Sequence, residues 1–430
     1  MQVEGVHRPA RAEISASAIA HNVRALKSVV GESLFCAVVK ANGYGHGAEL
    51  AAKAALIGGA DVLAVAIIDE GIELRESGVT APILLLAEVP ADTIAAALEN
   101  SLTITIGSLE GARAAVSKAE ALGGRHRVHV KVDTGMHRMG VASNDVDEVV
   151  DVLTSSAAID LEGIYTHFSV ADGSSAEDRA FTRDQIASFD EVLAALAKRG
   201  VQPRLVHTAN SAGALGYPEA RRGMVRVGLA LYGYLPEAWL ASALEETGER
   251  LVPALTLRAN VVAVRRVEAG ERPSYRRRRA TQSAATIATV PFGYADGYPR
   301  RLFDAGAKVL INGQRYPLAG MVTMDMLVID CGDDVVRPGD EVVLLGRQGD
   351  EEITADEWAE RAGTISWEIL CGIGARVPRI LVDWDESRLS RASDLHALRA
   401  LPNPSARRRR FGSAEPGVDG DRRGARSRRG

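Results

Sequence analysis

The stretch SLFCAVVKANGYGHG, residues 33–47, opens with an apolar, β-branched run, closes that run on Lys40 and then breaks on three glycines. Such a segment reads as a buried strand that empties into a loop. The same unit recurs as DVLAVAI (61–67), PILLLA (82–87), LTITIG (102–107), RVHVKVDT (127–134), LEGIYTHF (161–168), RLVHTAN (204–210) and MVRVGLALYG (224–233). The gaps carry a 3.6-residue apolar period, as in SASAIAHNVRALKSVVG ahead of the first run and DQIASFDEVLAALAKRG ahead of the seventh. Near-continuous apolar strands alternating with helices predict a parallel sheet covered on both faces. Eight such units in about 200 residues predict an α/β fold whose N-terminal part is a (β/α)8 TIM-type barrel.

After about residue 245 the texture changes. LTLRANVVAVRRV, AATIATVPFGYADGY, AKVLINGQRYPLAG, DMLVIDCG and GDEVVLLGRQGD are rich in Val and Thr, alternate apolar with polar residues and break on Gly and Pro. That is the pattern of antiparallel strands and turns. The expected organisation is a barrel over residues 8–245, a mostly β C-terminal domain over 246–385 with one helix near ADEWAERAG, and an Arg-rich tail over 386–430. The tail is expected to be disordered, because its Arg, Gly, Ser and Pro bias buries too little apolar surface to offset chain entropy.

The 430 residues are 46% hydrophobic and carry a net charge of −5. Residues 401–430 hold nine arginines against three acids, so the remainder of the chain is near −11. An acidic body is a poor partner for nucleic acid or an anionic membrane. Phe411 alone interleaves the tail arginines, which is little aromatic surface for an RNA-binding arm. No apolar run approaches the roughly 20 residues that span a bilayer, and MQVEGVHRPA lacks a signal pattern, so a cytoplasmic location is expected. Cys36, Cys331 and Cys371 form neither a CxxC pair nor a disulfide framework, and are expected to be reduced and buried. No metal site is expected.

In barrels of this type the chemistry gathers at the C-terminal ends of the strands. There the first strand brings Lys40 and then Tyr44, the fifth Lys131 and Asp133 with Arg138 in its loop, and the sixth His167. The seventh brings His207, Asn210 and Ser211, and the eighth Arg226 followed by Gly228. Two lysines and two arginines facing one concavity need an anion. A phosphorylated cofactor or substrate meets that need, and strands seven and eight are where such barrels bind phosphate. Each residue also has a plainer reading. Lys40 is either an amine made nucleophilic by desolvation or a surface lysine at a strand end. Arg226 is a ligand contact or half of a structural ion pair, His167 is functional or a satisfied core histidine, and Lys131 is functional or buried against Asp133.

VVKANGYGHG, HVKVDTGMHRMG, LEGIYTHF, HTANSAGAL, MVRVGLALYG, VPFGYADGY and TMDM, in that order over roughly residues 8–384, resemble the alanine racemases. The resemblance implies a fold-type III pyridoxal 5′-phosphate enzyme that interconverts L- and D-alanine and supplies D-alanine for peptidoglycan. It also implies a head-to-tail homodimer whose active sites combine residues of both subunits. Carried over by residue, Lys40 would hold the cofactor and exchange the proton on the D-side of the substrate. Tyr275, in ERPSYRRRR, would do the same on the L-side from the partner subunit. Arg226 would face the pyridine nitrogen, and His167 would bridge Arg226 and Tyr275. Tyr44, Ser211, Gly228 and Leu229 would hold the phosphate, while Arg138 and the backbone of the partner's Met324 would hold the substrate carboxylate. Lys131 matches a lysine that is carbamylated in many members. Two groups on opposite faces suit racemisation, since a single base returns only the starting hand.

Three positions depart from the family pattern. Arg276, Arg277, Arg278 and Arg279 follow Tyr275 where the family usually has a small Gly-containing turn. Ala375, in CGIGARVPR, stands where some members place a tyrosine that contacts the phosphate, and its small side chain is expected to enlarge the site. Met321, in GMVTMDM, replaces an arginine that lines the access channel in many members. Ala375 and Met321 keep a broad-specificity racemase, acting also on serine or larger amino acids, as the alternative. A related barrel decarboxylase, a non-catalytic pyridoxal phosphate carrier and an inactive paralogue are the remaining readings.

Overall fold

The computed structural model describes residues 8–383, so the tail expected over 386–430 and the last residues assigned to the second domain lie outside the described residues. Eight strands, Leu34–Val38, Val62–Val65, Ile83–Glu88, Thr103–Ile106, His126–Asp133, Ile159–Tyr165, Leu205–His207 and Met224–Val227, pair in parallel, each with the next. Met224–Val227 returns to pair with Leu34–Val38, which closes the barrel. Val62–Val65, Thr103–Ile106 and Met224–Val227 are buried at every position, as strands covered on both faces must be.

Local chemistry sets the helix boundaries. Ala16–Val30 begins where Ser15 Oγ accepts the Ala18 N–H at 3.0 Å and ends on Gly31 at φ 65°. Ser175 caps Ala176–Lys198 in the same way, starting that helix eight residues ahead of the DQIASF run that revealed it.

The C-terminal part is mostly β, built on Leu255–Asn260, Lys308–Ile311 and Glu341–Gln348 in one sheet and on Ala263–Val267, Ala285–Val290 and Leu327–Asp330 in another. It holds two helices where one was expected: Ala355–Ala362, and Ser366–Cys371, a segment too short for its period to register. Cys36 and Cys331 are buried, but Cys371, at the end of that second helix, is exposed, correcting the expectation that all three cysteines are buried.

Two features tie this domain to the mouth of the barrel. Arg11–Ser15, which precedes the first barrel helix, pairs antiparallel with Leu255–Asn260 and parallel with Arg379–Val382, so the start of the chain is stitched into the C-terminal sheet. Arg379 Nε then donates to the Gly45 carbonyl at 2.9 Å, clamping the loop that follows Lys40. Gly45 is required there, because a Cβ would stand 2.1 Å from the Leu370 carbonyl oxygen. Among the described residues no helix is long and apolar enough to cross a membrane.

Candidate active site

The backbone turns left-handed as soon as the first barrel strand ends. Ala41, Asn42, Gly43 and Tyr44 take φ values of 52°, 53°, 62° and 51°, a run that non-glycine residues adopt only when their surroundings hold them there. The holding contacts are visible: Glu70 Oε1 accepts the Ala41 N–H at 2.6 Å, and Asn42 Oδ1 accepts the Ala48 N–H at 2.9 Å. The turn delivers Lys40 and Tyr44 into a cavity of about 490 Å³ at the C-terminal mouth of the barrel. Burial lowers the Lys40 pKa from the usual lysine value, and the nearby Arg138 charge lowers it further.

Arg226 lines this cavity, 2% exposed, and makes no salt bridge with a carboxylate among the described residues. Its Nη1 donates to His207 Nδ1 at 2.9 Å, and its Nη2 to the carbonyls of Thr166 and Thr208 at 2.9 and 3.1 Å and to His167 Nδ1 at 3.2 Å. The Tyr165 ring stacks on it at 4.9 Å. The ion-pair reading of Arg226 therefore falls: its partners are all neutral. Burial and the Arg226 charge push His167 and His207 well below the usual imidazole value, so both rings are neutral acceptors.

Ser211, Gly228, Leu229 and Tyr44 also line the cavity. Ser211 Oγ accepts the Gly228 N–H at 3.0 Å, and a Cβ on Gly228 would stand 2.4 Å from the Tyr44 hydroxyl oxygen, so only glycine lets backbone N–H and phenol converge. Two hydroxyls and adjacent amides beside cations form a cradle for a tetrahedral anion. A phosphorylated cofactor such as pyridoxal 5′-phosphate would suit this donor set, with Ser211, Tyr44, Gly228 and Leu229 as the residues that would hold its phosphate.

Lys131 is buried, 4% exposed, below Arg138 and Arg226. Burial, then those two cations, bring its pKa down to about 8. Asp133 does not serve as its salt-bridge partner. Asp133 Oδ1 instead accepts the backbone N–H groups of Gly135, Met136 and His137 at 3.0, 2.9 and 3.1 Å, shaping the turn that carries Arg138.

Tyr275 and Met324 are elsewhere. Neither lines the cavity around Lys40, and they are 71% and 51% exposed on the C-terminal domain. Tyr275 stands on a braced loop: Ser274 Oγ donates to the Met321 carbonyl at 2.7 Å, Arg279 Nη1 to the Leu318 carbonyl at 2.9 Å, and Arg278 faces Asp304 at 3.4 Å. Met321 is itself buried, so it packs beneath this loop and exposes no side chain to a channel in its own chain. Ala375 is exposed.

Arg276 takes φ 62°. Left-handed backbone costs a non-glycine residue roughly 1 kcal/mol or more, and glycine gives part of that back through its freer unfolded state. Arg276→Gly is expected to stabilise the fold by about 0.5–1 kcal/mol in urea unfolding. An unchanged or lower midpoint would count against strain at this position.

The cavity thus brings together Lys40, Tyr44, Arg138, His167, Ser211, Arg226, Gly228 and Leu229. Reading the sequence missed Met136, Phe168, Asp172, Ile365, Trp367 and Cys371, which also line it. A larger groove of about 1000 Å³, between residues 233–253 and the C-terminal helices, lacks this convergence of lysine, arginine and phosphate-binding groups.

Comparison with known proteins supplies the family. The family profile described as alanine racemase, N-terminal domain, matches residues 14–236, and the one described as alanine racemase, C-terminal domain, matches residues 254–381. An alanine racemase of Symbiobacterium thermophilum is 45% identical over 380 residues, 88% of this chain and 98% of that protein. The crystal structure of alanine racemase from D-cycloserine-producing Streptomyces lavendulae superposes with a TM-score of 0.83 at 36% identity, covering 89% of this chain and 99% of that one. A histidine racemase from Leuconostoc mesenteroides superposes with a TM-score of 0.80 at 29% identity, covering 89% of this chain and 100% of that one.

Proposed function

The chain belongs to the alanine racemase family, a family of isomerases, and from that premise we propose that it interconverts L- and D-alanine by a two-base mechanism with pyridoxal 5′-phosphate. The observation that carries this reading is the single cavity in which an amine of lowered pKa, a buried arginine without a carboxylate and a phosphate-sized cradle meet. When bound, pyridoxal phosphate supplies the electron sink that acidifies the substrate's α-carbon. Ser211 Oγ, the Tyr44 hydroxyl and the N–H groups of Gly228 and Leu229 hold its phosphate. Arg226 would face the pyridine nitrogen and, being unable to give up a proton, would leave that nitrogen without one. Lys40 Nζ, depressed by burial and by Arg138, holds or releases a proton on one face of the α-carbon. Arg138 binds the substrate carboxylate.

The second base comes from a second copy of the chain. Tyr275 and Met324 are exposed and absent from their own cavity, which supports a homodimer in which the partner's Tyr275 reaches the opposite face of the substrate, next to His167. Lys131 suits carbamylation: at a pKa of about 8 a useful fraction of its amine is neutral. The ammonium gives up one proton, the neutral nitrogen adds to carbon dioxide and loses a second, and a cation near Arg138 becomes a carbamate anion that orients it. In this reading the D-alanine is made in the cytoplasm for peptidoglycan.

A broader substrate range is the second reading, favoured by the histidine racemase likeness. Chiral chromatography of the purified protein with added pyridoxal phosphate separates the two. We expect D-alanine from L-alanine, with kcat/KM for alanine about tenfold or more above serine and lysine. Comparable values would establish the broad assignment, and binding of the cofactor without any racemised product would sink both.

A further inference from the structure

Arg226 is the end of a buried chain of hydrogen bonds that crosses the barrel. His207 Nδ1 accepts from Arg226, His207 Nε2 stands 2.9 Å from His129 Nδ1, and His129 Nε2 stands 3.2 Å from Glu162 Oε2. Glu162 then meets Arg204 at the opposite end of the barrel, with Arg127 at 3.9 Å. His207, His129 and Glu162 are 0%, 2% and 4% exposed.

The direction of every proton in this chain is fixed by its two ends. Arginine cannot accept a hydrogen bond, so His207 Nδ1 is bare and its proton sits on Nε2. That proton can go only to His129 Nδ1, which must therefore be bare, so His129 carries its proton on Nε2 and gives it to the Glu162 carboxylate. Burial alone would raise the Glu162 pKa, but the hydrogen bond from His129 with the charges of Arg127 and Arg204 outweighs it and keeps the group anionic.

Two backbone features are needed for this path. The pairing of the fifth and sixth barrel strands steps from Val128 with Leu161 to His129 with Gly163, so Glu162 is the extra residue of a bulge. Bulges re-aim side chains, and this one brings a carboxylate to His129. Beside it, a Cβ on Gly163 would stand 2.7 Å from the His129 ring, so glycine opens the space that the ring fills.

We propose that Glu162, acting through His129 and His207, is the remote counterion of Arg226 and holds its guanidinium in place in the cavity. The inference rests on the reading of Arg226 as the group that faces the pyridine nitrogen. Glu162 and both histidines touch no substrate; they are positioning residues. The relay supplies a buried cation with negative polarity at a distance, which keeps any carboxylate out of the cofactor cavity.

The test begins with imidazole 15N NMR of the wild-type holoenzyme, a readout independent of turnover. His129 and His207 are both expected to carry their ring proton on Nε2; a proton on Nδ1 of His207 overturns the proposal. Glu162→Leu is expected to lower kcat roughly tenfold to a hundredfold with the KM for alanine little changed, and Glu162→Gln, which still accepts from His129 but carries no charge, to recover only part of that loss. A Glu162→Leu holoenzyme within about twofold of wild type in kcat overturns it as well. Should the leucine variant fail to fold, the wild-type tautomers and the glutamine variant still decide. A protein with the expected tautomers but no racemase activity would instead contradict the functional reading.

Discussion

A Lys40→Ala variant and a Tyr275→Phe variant, each nearly inactive alone, are expected to recover activity when their subunits are exchanged into mixed dimers. Loss of a positioned acid–base group costs about 10²- to 10⁴-fold in kcat, and Lys40 is also the residue read as holding the cofactor. If each cavity takes its lysine from one copy and its tyrosine from the other, a mixed dimer has one site with both lesions and one site with neither. Random exchange of equal amounts makes half of the dimers mixed, so about a quarter of wild-type activity should return. The 71% exposure of Tyr275 and its absence from the cavity of its own chain motivate the experiment. Recovery no greater than the sum of the two parents would mean that both groups act within one chain, or that Tyr275 is not the second base. The wild type measured under the same unfolding and mixing regime controls for losses in exchange.

How much of this was legible in the sequence follows from the range of the interactions involved. Lys40, His167, Ser211 and Arg226 stood out because parallel strands all end on one face, so a list of strand ends is already a list of neighbours. Their partners depended on register. Glu162 is one residue from where regular pairing would put it, and a one-residue step in pairing is invisible to an alternation pattern. The pairing of Arg11–Ser15 with Leu255–Asn260 and Arg379–Val382 joins segments hundreds of residues apart, with nothing local to announce it. Trp367 and Cys371 reach the cavity on a six-residue helix, too short to show a period. The Lys131–Asp133 alternative is reasonable by spacing but loses to geometry, because a strand followed by a tight turn directs the Asp133 carboxylate at the turn's amides.

Acid should destabilise this protein before its carboxylates titrate, and His46 is the residue where the size of the effect can be stated. Its ring is fully buried and stacks on Tyr232 with centroids 4.4 Å apart. Nδ1–H donates to the Tyr44 and Gly43 carbonyls at 2.9 and 3.1 Å, while Nε2 is buried without a hydrogen-bond partner, so a second proton would be stranded. Burial accordingly lowers the pKa from 6.5 to about 4. The folded chain thus binds fewer protons than the unfolded chain between those values, and stability falls as pH drops through that window. His46 alone accounts for roughly 3 kcal/mol by pH 4, since each tenfold loss of proton affinity on folding is worth about 1.4 kcal/mol. His167 and His207 are lowered by burial as well and act with the same sign, whereas the raised Cys36 thiol titrates far above this range. Urea unfolding at pH 7, 5.5 and 4.5 should show the free energy falling steadily. His46→Asn should be less stable than wild type at pH 7, where a buried ring and its packing are lost, and the gap should narrow toward pH 4.5 because the variant has no imidazole to protonate. A gap that stays constant across the series would mean that the His46 ring accepts its second proton in place, and that the turn after Lys40 is open enough to water to let it.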